Sequence, residues 1–236
     1  MAETIIVTGG TGFIGRHAVE DLVARGFKVI VPTSRDITDG VDGATYFTCD
    51  LTDAADREKL IGEANASGLL HIAWRAAVSG LWGAPENIDW LQSSLALGRA
   101  FLDAGGQRIT LCGSCGEYDW TSGMCIEDQT PLRPNTIYGT AKVSVMHGLS
   151  AMCQTAGATL ATGRPFFIYG PREHESRLTA YVIQCLMRGE EAAPAHEPPL
   201  IVADMAKTRA SGLDWAPRFT LESGVADTID WFHAKA

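Results

Sequence analysis

Three side chains in the second half of the chain form a set that can move a proton at a carbon–oxygen bond. Tyr138 and Lys142 are four positions apart, and Ser114 lies upstream of both. Side chains at this spacing share one face of a helix, so the lysine charge would lower the pKa of the phenol. A carbonyl that accepts a hydride becomes an alkoxide and needs such a proton donor, while the serine would hydrogen-bond the substrate oxygen. The trio is therefore predicted to be catalytic, although a Tyr and a Lys at this spacing also occur as an ordinary surface pair.

A glycine-rich segment near the N-terminus has the pattern of a phosphate-binding loop. The segment Thr8–Gly15 directly follows an apolar run at residues 4–7. Glycines let the backbone approach a ligand closely, and the N–H groups of a following helix favour an anion. Glycines also end strands for packing reasons, but a strand before and a helix after favour dinucleotide binding. The candidate binding residues here are Gly9, Thr11, Gly12, Phe13, Ile14 and Gly15.

The end of the second predicted strand bears on which dinucleotide binds. NAD enzymes usually carry an acid there, which accepts hydrogen bonds from the ribose hydroxyls and repels a 2′-phosphate. In this chain Thr33 stands at that position and is followed by Ser34 and Arg35. A hydroxyl and a guanidinium suit a 2′-phosphate, although Arg35 could instead be a solvated loop residue paired with Asp36. We therefore expect a preference for NADP(H), with NAD(H) as the open alternative.

Strand and helix patterns alternate along the chain and predict the scaffold for these residues. Strands are predicted at 4–8, 27–31, 46–49, 68–74, 108–112 and 158–167. Helices are predicted at 12–25, 53–65 with Asp53 as N-cap, 85–103, 136–155, 177–188, 204–211 and 221–233, with a loop at 189–199 and a turn at 214–217. This order implies a parallel sheet with right-handed crossovers. The predicted fold class is α/β, a Rossmann-like doubly wound sheet of about six strands.

Composition narrows the class of protein. The 236 residues are 46% hydrophobic, which is enough for one well-filled core, and the net charge of −9 argues against nucleic acid or an anionic membrane as partner. No run approaches about 18 apolar residues, and the chain enters a strand too early for a secretory signal. Among the six cysteines, Cys112 and Cys115 are the only close pair, and no second pair or histidine partner follows at metal-ligand spacing, so no metal site is expected. The cysteines are interpreted as incidental thiols in the reducing cytoplasm.

Together these motifs resemble the extended short-chain dehydrogenase/reductases, and in particular their sugar-nucleotide-modifying, epimerase/dehydratase-like branch. The resemblance runs from residue 4 to about 191 and resumes at about 198. It is carried by Thr8–Gly15, Asp50–Asp53, His71–Ala73, Asn87, Ser114 ahead of Glu117 and Tyr118, Tyr138 with Lys142, and Arg164–Pro171. It implies that Asp50 and Leu51 bracket the adenine and that Ala73 lines the pyrophosphate path. It also implies that Lys142 holds the nicotinamide ribose and that Arg164 and Pro165 belong to the cofactor site.

The resemblance leaves several reactions open. Dehydratases of this branch usually follow the hydroxyl residue with an Asp-Glu pair, whereas Cys115 and Gly116 follow Ser114 here. The main hypothesis is an NADP-dependent oxidoreductase that reduces a keto group of a nucleotide-linked deoxysugar or a related small carbonyl compound, with the proton supplied by Tyr138. One alternative is an NAD-dependent sugar epimerase or sugar dehydrogenase. Another is a non-catalytic dinucleotide-binding regulator.

The C-terminal region is shorter than the family pattern. After Glu191 the chain lacks a block that would ordinarily add a seventh strand and much of the nucleotide pocket. We therefore divide it into a dinucleotide-binding domain at 1–170 and a reduced substrate-binding portion at 171–236. The shortening implies a smaller substrate, a pocket completed by a partner subunit, or an inactive relic. Further candidates for the pocket wall are Trp74, Trp82, Trp120, Tyr118 and Tyr169.

Family members often dimerise through the helix predicted at 85–103 and the helix that carries the Tyr/Lys pair. A homodimer is therefore expected. The apolar face for it would come from Leu91, Leu95, Leu102, Val145 and Leu149, which could equally face the sheet.

Overall fold

The computed structural model describes residues 2–74, 80–192, 201–212 and 216–235. The main strands are β1 (Thr4–Thr8), β2 (Lys28–Thr33), β3 (Ala44–Thr48), β4 (Gly68–His71), β5 (Arg108–Cys112) and β7 (Thr159–Gly163). Within the described residues they form one six-stranded parallel sheet in the order β3-β2-β1-β4-β5-β7. Two short strands, β6 (Met124–Cys125) and β8 (Val202–Ala203), form a separate parallel pair. The predicted α/β fold with a six-stranded sheet is confirmed.

Helices follow the strands in the predicted alternation. They are α1 (Phe13–Ala24), α2 (Ala54–Ala64), α3 (Asn87–Asp103), α4 (Ile137–Ala156), α5 (Leu178–Met187), α6 (Ala206–Ala210) and α7 (Leu221–His233). Short 3₁₀ turns cover Leu81–Gly83, Cys115–Glu117 and Trp120–Ser122. Asp53 caps α2 as predicted, because its carboxylate accepts the N–H of Asp56 at 3.0 Å. None of the helices in the described part of the chain is long and apolar enough to cross a membrane.

The chain divides into two compact units. The first comprises residues 1–117 and 134–165 and holds the six-stranded sheet with α1–α4. The second comprises residues 118–133 and 166–236 and holds β6, β8 and α5–α7. The sequence-based division at residue 170 stays a prediction. The predicted loop at 189–199 and turn at 214–217 fall partly outside the described residues.

The core of the first unit lies between the sheet and the pair α3 and α4. Leu149 is 1% exposed and packs in one cluster with residues of β1, β4 and β5. A Cβ at Gly98 would overlap the Leu149 side chain, so the small residue lets the two helices approach closely. Leu102 and Val145 are also buried in this cluster, and Leu91 and Leu95 pack partly buried against it. The proposed dimer face is therefore largely engaged within the chain, and a homodimer stays a prediction.

Two strands end earlier than the sequence predicts. β4 stops at His71 rather than at Trp74, because its neighbour β1 ends at Thr8 and the next two N–H groups donate to the Thr8 side chain. β7 stops at Gly163 rather than at 167, and Pro165, which has no N–H, cannot continue a hydrogen-bond ladder. The pair β6 and β8 was not predicted, since two-residue strands leave no periodic pattern.

Candidate active site

The predicted site residues follow the carboxyl ends of successive strands of the main sheet. The glycine loop follows β1, residues 34–35 follow β2, and residues 50–51 follow β3. Ala73 follows β4, Ser114 follows β5, and residues 164–165 follow β7. Because the strands are parallel, these segments lie along one edge of the sheet. The strand order reverses between β1 and β4, which is where doubly wound sheets open a crevice for ligands.

The glycine loop fits a phosphate in backbone conformation. Gly9 has φ +70°, and a Cβ there would lie 2.8 Å from the backbone nitrogen of Ala73. A Cβ at Gly15 would overlap the carbonyl of Gly9, so α1 starts in close contact with the loop. Gly12 is the N-cap of α1 and makes no side-chain capping bond. The first N–H groups of α1 therefore have no side-chain cap and match the needs of an anion such as a pyrophosphate.

A buried chain of hydrogen bonds fastens the glycine loop to the end of β4. The backbone N–H groups of residues 72 and 73 both donate to Thr8 Oγ1 at 3.1 Å. This oxygen has two acceptor sites, so its own hydrogen points at His71 Nδ1, 2.8 Å away. His71 Nε2–H then donates to Ser94 Oγ at 2.8 Å. Burial lowers the pKa of His71 to about 3, so the ring is neutral in one defined tautomer.

The ends of β2 and β3 carry the predicted adenosine-side residues. The backbone N–H of Arg35 donates to Thr33 Oγ1 at 3.1 Å, which forms a tight turn with exposed side chains at Ser34 and Arg35. Asp50 is exposed after β3, and Leu51 beside it is buried. The N–H and hydroxyl of Thr52 both donate to Asp50, and these bonds hold the pKa of its carboxyl below the usual value.

The structure places the Ser114 hydroxyl where it lowers the pKa of the Tyr138 phenol. Tyr138 lies in the first turn of α4, whose N-cap Thr136 accepts the N–H of Gly139 at 3.0 Å. A Cβ at Gly139 would overlap the Gly116 carbonyl, so the start of α4 packs tightly against the turn that follows Ser114. This contact between two backbones sets the position of the phenol relative to the serine hydroxyl.

A buried ion pair between Glu117 and Arg164 holds the backbone of Ser114. Glu117 is fully buried, and its Oε1 accepts the backbone N–H of Ser114 at 2.8 Å. Its Oε2 accepts Arg164 Nε at 2.6 Å. The resemblance places Arg164 in the cofactor site. In the structure Arg164 binds Glu117, the carboxylate that also accepts the N–H of Ser114. Sequence reasoning noted Glu117 only as part of a motif, because partners 47 positions apart leave no local signal.

The Lys142 ammonium contacts Cys112 and Trp74 as well as the Tyr138 ring. Its ammonium donates to the Cys112 carbonyl at 2.9 Å and lies 4.1 Å from the centroid of the Trp74 ring, but 6.0 Å from that of the Tyr138 ring. Burial raises the pKa of Tyr138 to about 12, against a smaller lowering by Ser114. Burial also lowers the pKa of Lys142 to about 8. Desolvation therefore outweighs the lowering of the phenol pKa by Ser114, and a lowering by Lys142 stays a prediction.

Tryptophans make up much of the wall around Tyr138. Trp82 and Trp74 meet its ring edge to face, at centroid distances of 5.4 and 6.1 Å. Trp82 is 40% exposed. The other two tyrosine candidates lie in the second unit, where Tyr118 packs against Phe166 and the Tyr169 hydroxyl donates to the Leu221 carbonyl.

Comparisons with known proteins match most of the chain to one family. The model of the family described as "NAD dependent epimerase/dehydratase family" matches residues 5–209. The chain is 30% identical over 144 residues to dTDP-6-deoxy-L-talose 4-dehydrogenase (NAD(+)) of Aggregatibacter actinomycetemcomitans, a match that covers 58% of the chain and 51% of the relative. It is 27% identical over 206 residues to UDP-glucose 4-epimerase of Streptomyces lividans, a match that covers 81% of the chain and 62% of the relative. The chain thus spans only about half to three fifths of these relatives.

Solved structures share the fold. UDP-glucose 4-epimerase of Thermotoga maritima, solved with UDP-glucose, superposes with a TM-score of 0.85 at 20% identity and covers 98% of this chain and 99% of its own. UDP-glucose 4-epimerase of Thermus thermophilus, in complex with NAD, gives a TM-score of 0.81 at 21% identity and covers 99% and 100%. At this identity the likeness supports the fold and not a substrate.

Proposed function

The chain belongs to the NAD-dependent epimerase/dehydratase family, and on this premise we propose that it exchanges a hydride between a nicotinamide dinucleotide and a hydroxyl-bearing carbon of a nucleotide-linked sugar. The observation that carries the proposal is the close packing of the start of α4, which bears Tyr138, against the turn after Ser114, at the sheet edge that also bears the uncapped glycine loop. Both relatives named above act on nucleotide-linked sugars, one as an epimerase and one as a dehydrogenase. They favour the epimerase or dehydrogenase alternative over an NADPH-dependent ketoreductase.

The residues present fit the cofactor. Gly9–Gly15 and the first N–H groups of α1 would hold the pyrophosphate, Ala73 would line its path, and Asp50 and Leu51 would bracket the adenine. Lys142 would bind the nicotinamide ribose. When bound, NAD would supply a hydride acceptor whose ring is cationic in the oxidised form.

The protein side chains would handle the proton. With its pKa near 12, the Tyr138 phenol is protonated at neutral pH, which is the form that donates to a carbonyl oxygen during reduction. In the oxidising direction the phenol must first lose this proton, and the Ser114 hydroxyl favours that loss by hydrogen-bonding the phenolate. The buried Glu117–Arg164 pair would hold Ser114 in place in both directions.

The nicotinamide preference has two candidates. We put NAD first, because the talose dehydrogenase relative is named for NAD(+) and the Thermus epimerase structure contains NAD. NADP is the second candidate, because the end of β2 carries Thr33 instead of an acid and presents Arg35 to solvent. Titration of cofactor-stripped protein with NADH and NADPH, followed by nicotinamide fluorescence, separates the two. If Arg35 binds a 2′-phosphate, Arg35→Ala weakens NADPH binding about 10-fold or more and leaves NADH binding unchanged.

The reaction is tested by adding NAD⁺ and UDP-galactose to the stripped protein. Formation of UDP-glucose without net NADH identifies an epimerase, whereas stoichiometric NADH, followed by its absorbance, identifies a dehydrogenase. Tyr138→Phe should remove turnover and retain NADH binding, because it deletes only the proton-transfer hydroxyl. Binding of NADH without turnover of any nucleotide sugar would favour the regulator, and failure to bind either dinucleotide would refute the proposal.

The size of the substrate is a further part of the proposal. The chain spans about half to three fifths of the curated relatives named above, and the reduced substrate-binding portion stays a prediction. A substrate without the nucleotide, or a pocket completed by a second subunit, therefore belongs in the same screen. A homodimer and a cytoplasmic location stay predictions, and light scattering tests the first.

A further inference from the structure

The indole of Trp74 is held in one orientation by a buried amide. Trp74 Nε1 donates to Asn87 Oδ1 at 2.8 Å. The Nδ2 group of Asn87 donates to the carbonyls of Leu81 and Ala84 at 2.7 and 2.8 Å. Because both N–H bonds of this amide are used, its oxygen is fixed toward the indole. Asn87 is itself fully buried, so the indole cannot turn without breaking a desolvated hydrogen-bond network.

The fixed indole presents its face to the ammonium of Lys142. The Lys142 Nζ is 4.1 Å from the Trp74 ring centroid and donates to the Cys112 carbonyl at 2.9 Å. The lysine is only 3% exposed, so these contacts stand in for water around a charge. A cation at this distance from an indole face is attracted by the ring quadrupole, and the attraction is strongest where water is excluded.

We propose that Trp74 is a positioning residue for Lys142, and that its indole face together with the Cys112 carbonyl determines where the ammonium lies relative to Tyr138. Four contacts join these residues into one unit: Asn87 to Trp74, Trp74 to Lys142, Lys142 to Cys112, and the ring of Trp74 to that of Tyr138. The proposal depends on the proposed function only for its effect on turnover. The contact between indole and ammonium is tested without turnover.

Among the titratable groups in this cluster, the Lys142 ammonium has the pKa closest to neutral pH. Burial lowers the pKa of Lys142 to about 8, opposed by Cys112 and Glu117. The Tyr138 phenol and the His71 ring each stay in one form between pH 7 and 9. Burial raises the pKa of Cys112 and takes that of Tyr138 to about 12, while that of His71 is about 3.

The first test follows the emission of Trp74 between pH 6.5 and 9.5 as the difference between the native protein and Trp74→Phe. A cation over the ring changes indole emission, so the difference signal should change with a midpoint near the Lys142 pKa of about 8. Lys142→Met should abolish this transition. Trp90→Phe is the matched control, because it removes an indole that packs against Trp74 at 6.2 Å and leaves the Lys142 contact in place. A transition that survives in Lys142→Met, or a flat difference signal in the native protein, overturns the proposal.

The second test is the pH profile of kcat with NAD⁺ and UDP-galactose. Trp74→Leu keeps an apolar side chain without a π face, so the protonated ammonium loses stabilisation and the midpoint should fall by about half a unit to one unit. Trp74→Phe should lie between Trp74→Leu and the native protein. A uniform loss of kcat with no shift of the midpoint would mean a structural role and would overturn the proposal. If the native protein does not turn over UDP-galactose, the proposed function fails for that sugar, and the emission test alone decides the role of Trp74.

Discussion

Replacing His71 by Gln should remove a large part of the acid sensitivity of the fold. The neutral ring of His71 accepts the Thr8 hydroxyl at Nδ1 and donates to Ser94 from Nε2. Protonation would put a hydrogen on Nδ1, where the Thr8 oxygen has no acceptor site left, because it already takes the N–H groups of residues 72 and 73. Glutamine offers one acceptor and one donor and does not titrate. The variant therefore separates the charge of the ring from its hydrogen bonds.

The size of the effect follows from the difference between the folded and unfolded pKa values. The pKa of His71 is about 3 in the folded chain and 6.5 in its ordinary state. Below pH 6.5 the unfolded chain binds one more proton than the folded chain, so stability is lost as the pH falls toward 3. Between pH 7 and 4.5 this amounts to about 2.5 kcal/mol. That is a large fraction of the roughly 5–15 kcal/mol by which domains are typically stable.

The assay is urea denaturation of the native protein and His71→Gln at pH 7 and at pH 4.5. The native protein should lose about 2.5 kcal/mol more than the variant, which for slopes of about 2–3 kcal/mol/M lowers its midpoint by about 1 M more. Hydrogen exchange at the amides of residues 72 and 73 gives a local readout, because both donate to Thr8.

The matched control is Ser94→Ala, which removes the acceptor of Nε2 and keeps the ring. This variant should be less stable at both pH values and should retain the pH dependence of the native protein. Equal losses on acidification for the native protein and His71→Gln would refute the reasoning, because the buried ring would then contribute nothing to the acid response.

Three further predictions follow from buried groups. The native protein should gain about 1.5 kcal/mol of stability between pH 8 and 9.5, and Lys142→Met should lose this gain. In that range the unfolded lysine, with a pKa of 10.5, keeps its proton, whereas the folded lysine, with a pKa of about 8, loses it. Urea denaturation at both pH values measures the difference. Gly139→Ala should displace Tyr138, which would lower stability by about 1–3 kcal/mol in chemical denaturation and remove turnover. The control Gly163→Ala has open space around its Cβ and should change stability by less than about 0.5 kcal/mol. Leu149→Ala should lower the free energy of unfolding by about 2–5 kcal/mol. The control is Leu186→Ala, because Leu186 is 67% exposed and its truncation should have a small effect. If both variants had the same small effect, the core described here would be contradicted.

Features set by neighbouring residues could be predicted from the sequence. The span of β1, the cap of α2 by Asp53 and the glycine loop between β1 and α1 each depend on a few adjacent positions. The parallel sheet follows from the order of these elements, and it brings the loops after all its strands to one edge. That is why residues as distant in the chain as Gly9 and Ser114 could be assigned to one site.

Features set by contacts between distant segments could not be predicted in this way. The pairing of Glu117 with Arg164, the tautomer of His71 and the placement of Lys142 on Trp74 all depend on side chains brought together by the fold. None of these partners lies at a helical or strand spacing from the other, so no periodic pattern marks them. The sequence placed Glu117 in a family motif but did not show that its carboxylate binds the backbone of Ser114.

The trio of Ser114, Tyr138 and Lys142 illustrates the limit of spacing as evidence. Four positions on a helix place Tyr138 and Lys142 on one face, but a lysine side chain is long enough to reach several partners from there. The Cys112 carbonyl and the Trp74 ring bind the Lys142 ammonium, and burial keeps the phenol protonated. In this arrangement proton donation to a carbonyl is ready to occur, whereas proton removal from a hydroxyl needs additional positive charge near Tyr138. The pH profile of kcat in the oxidising direction would therefore report on the charge near Tyr138.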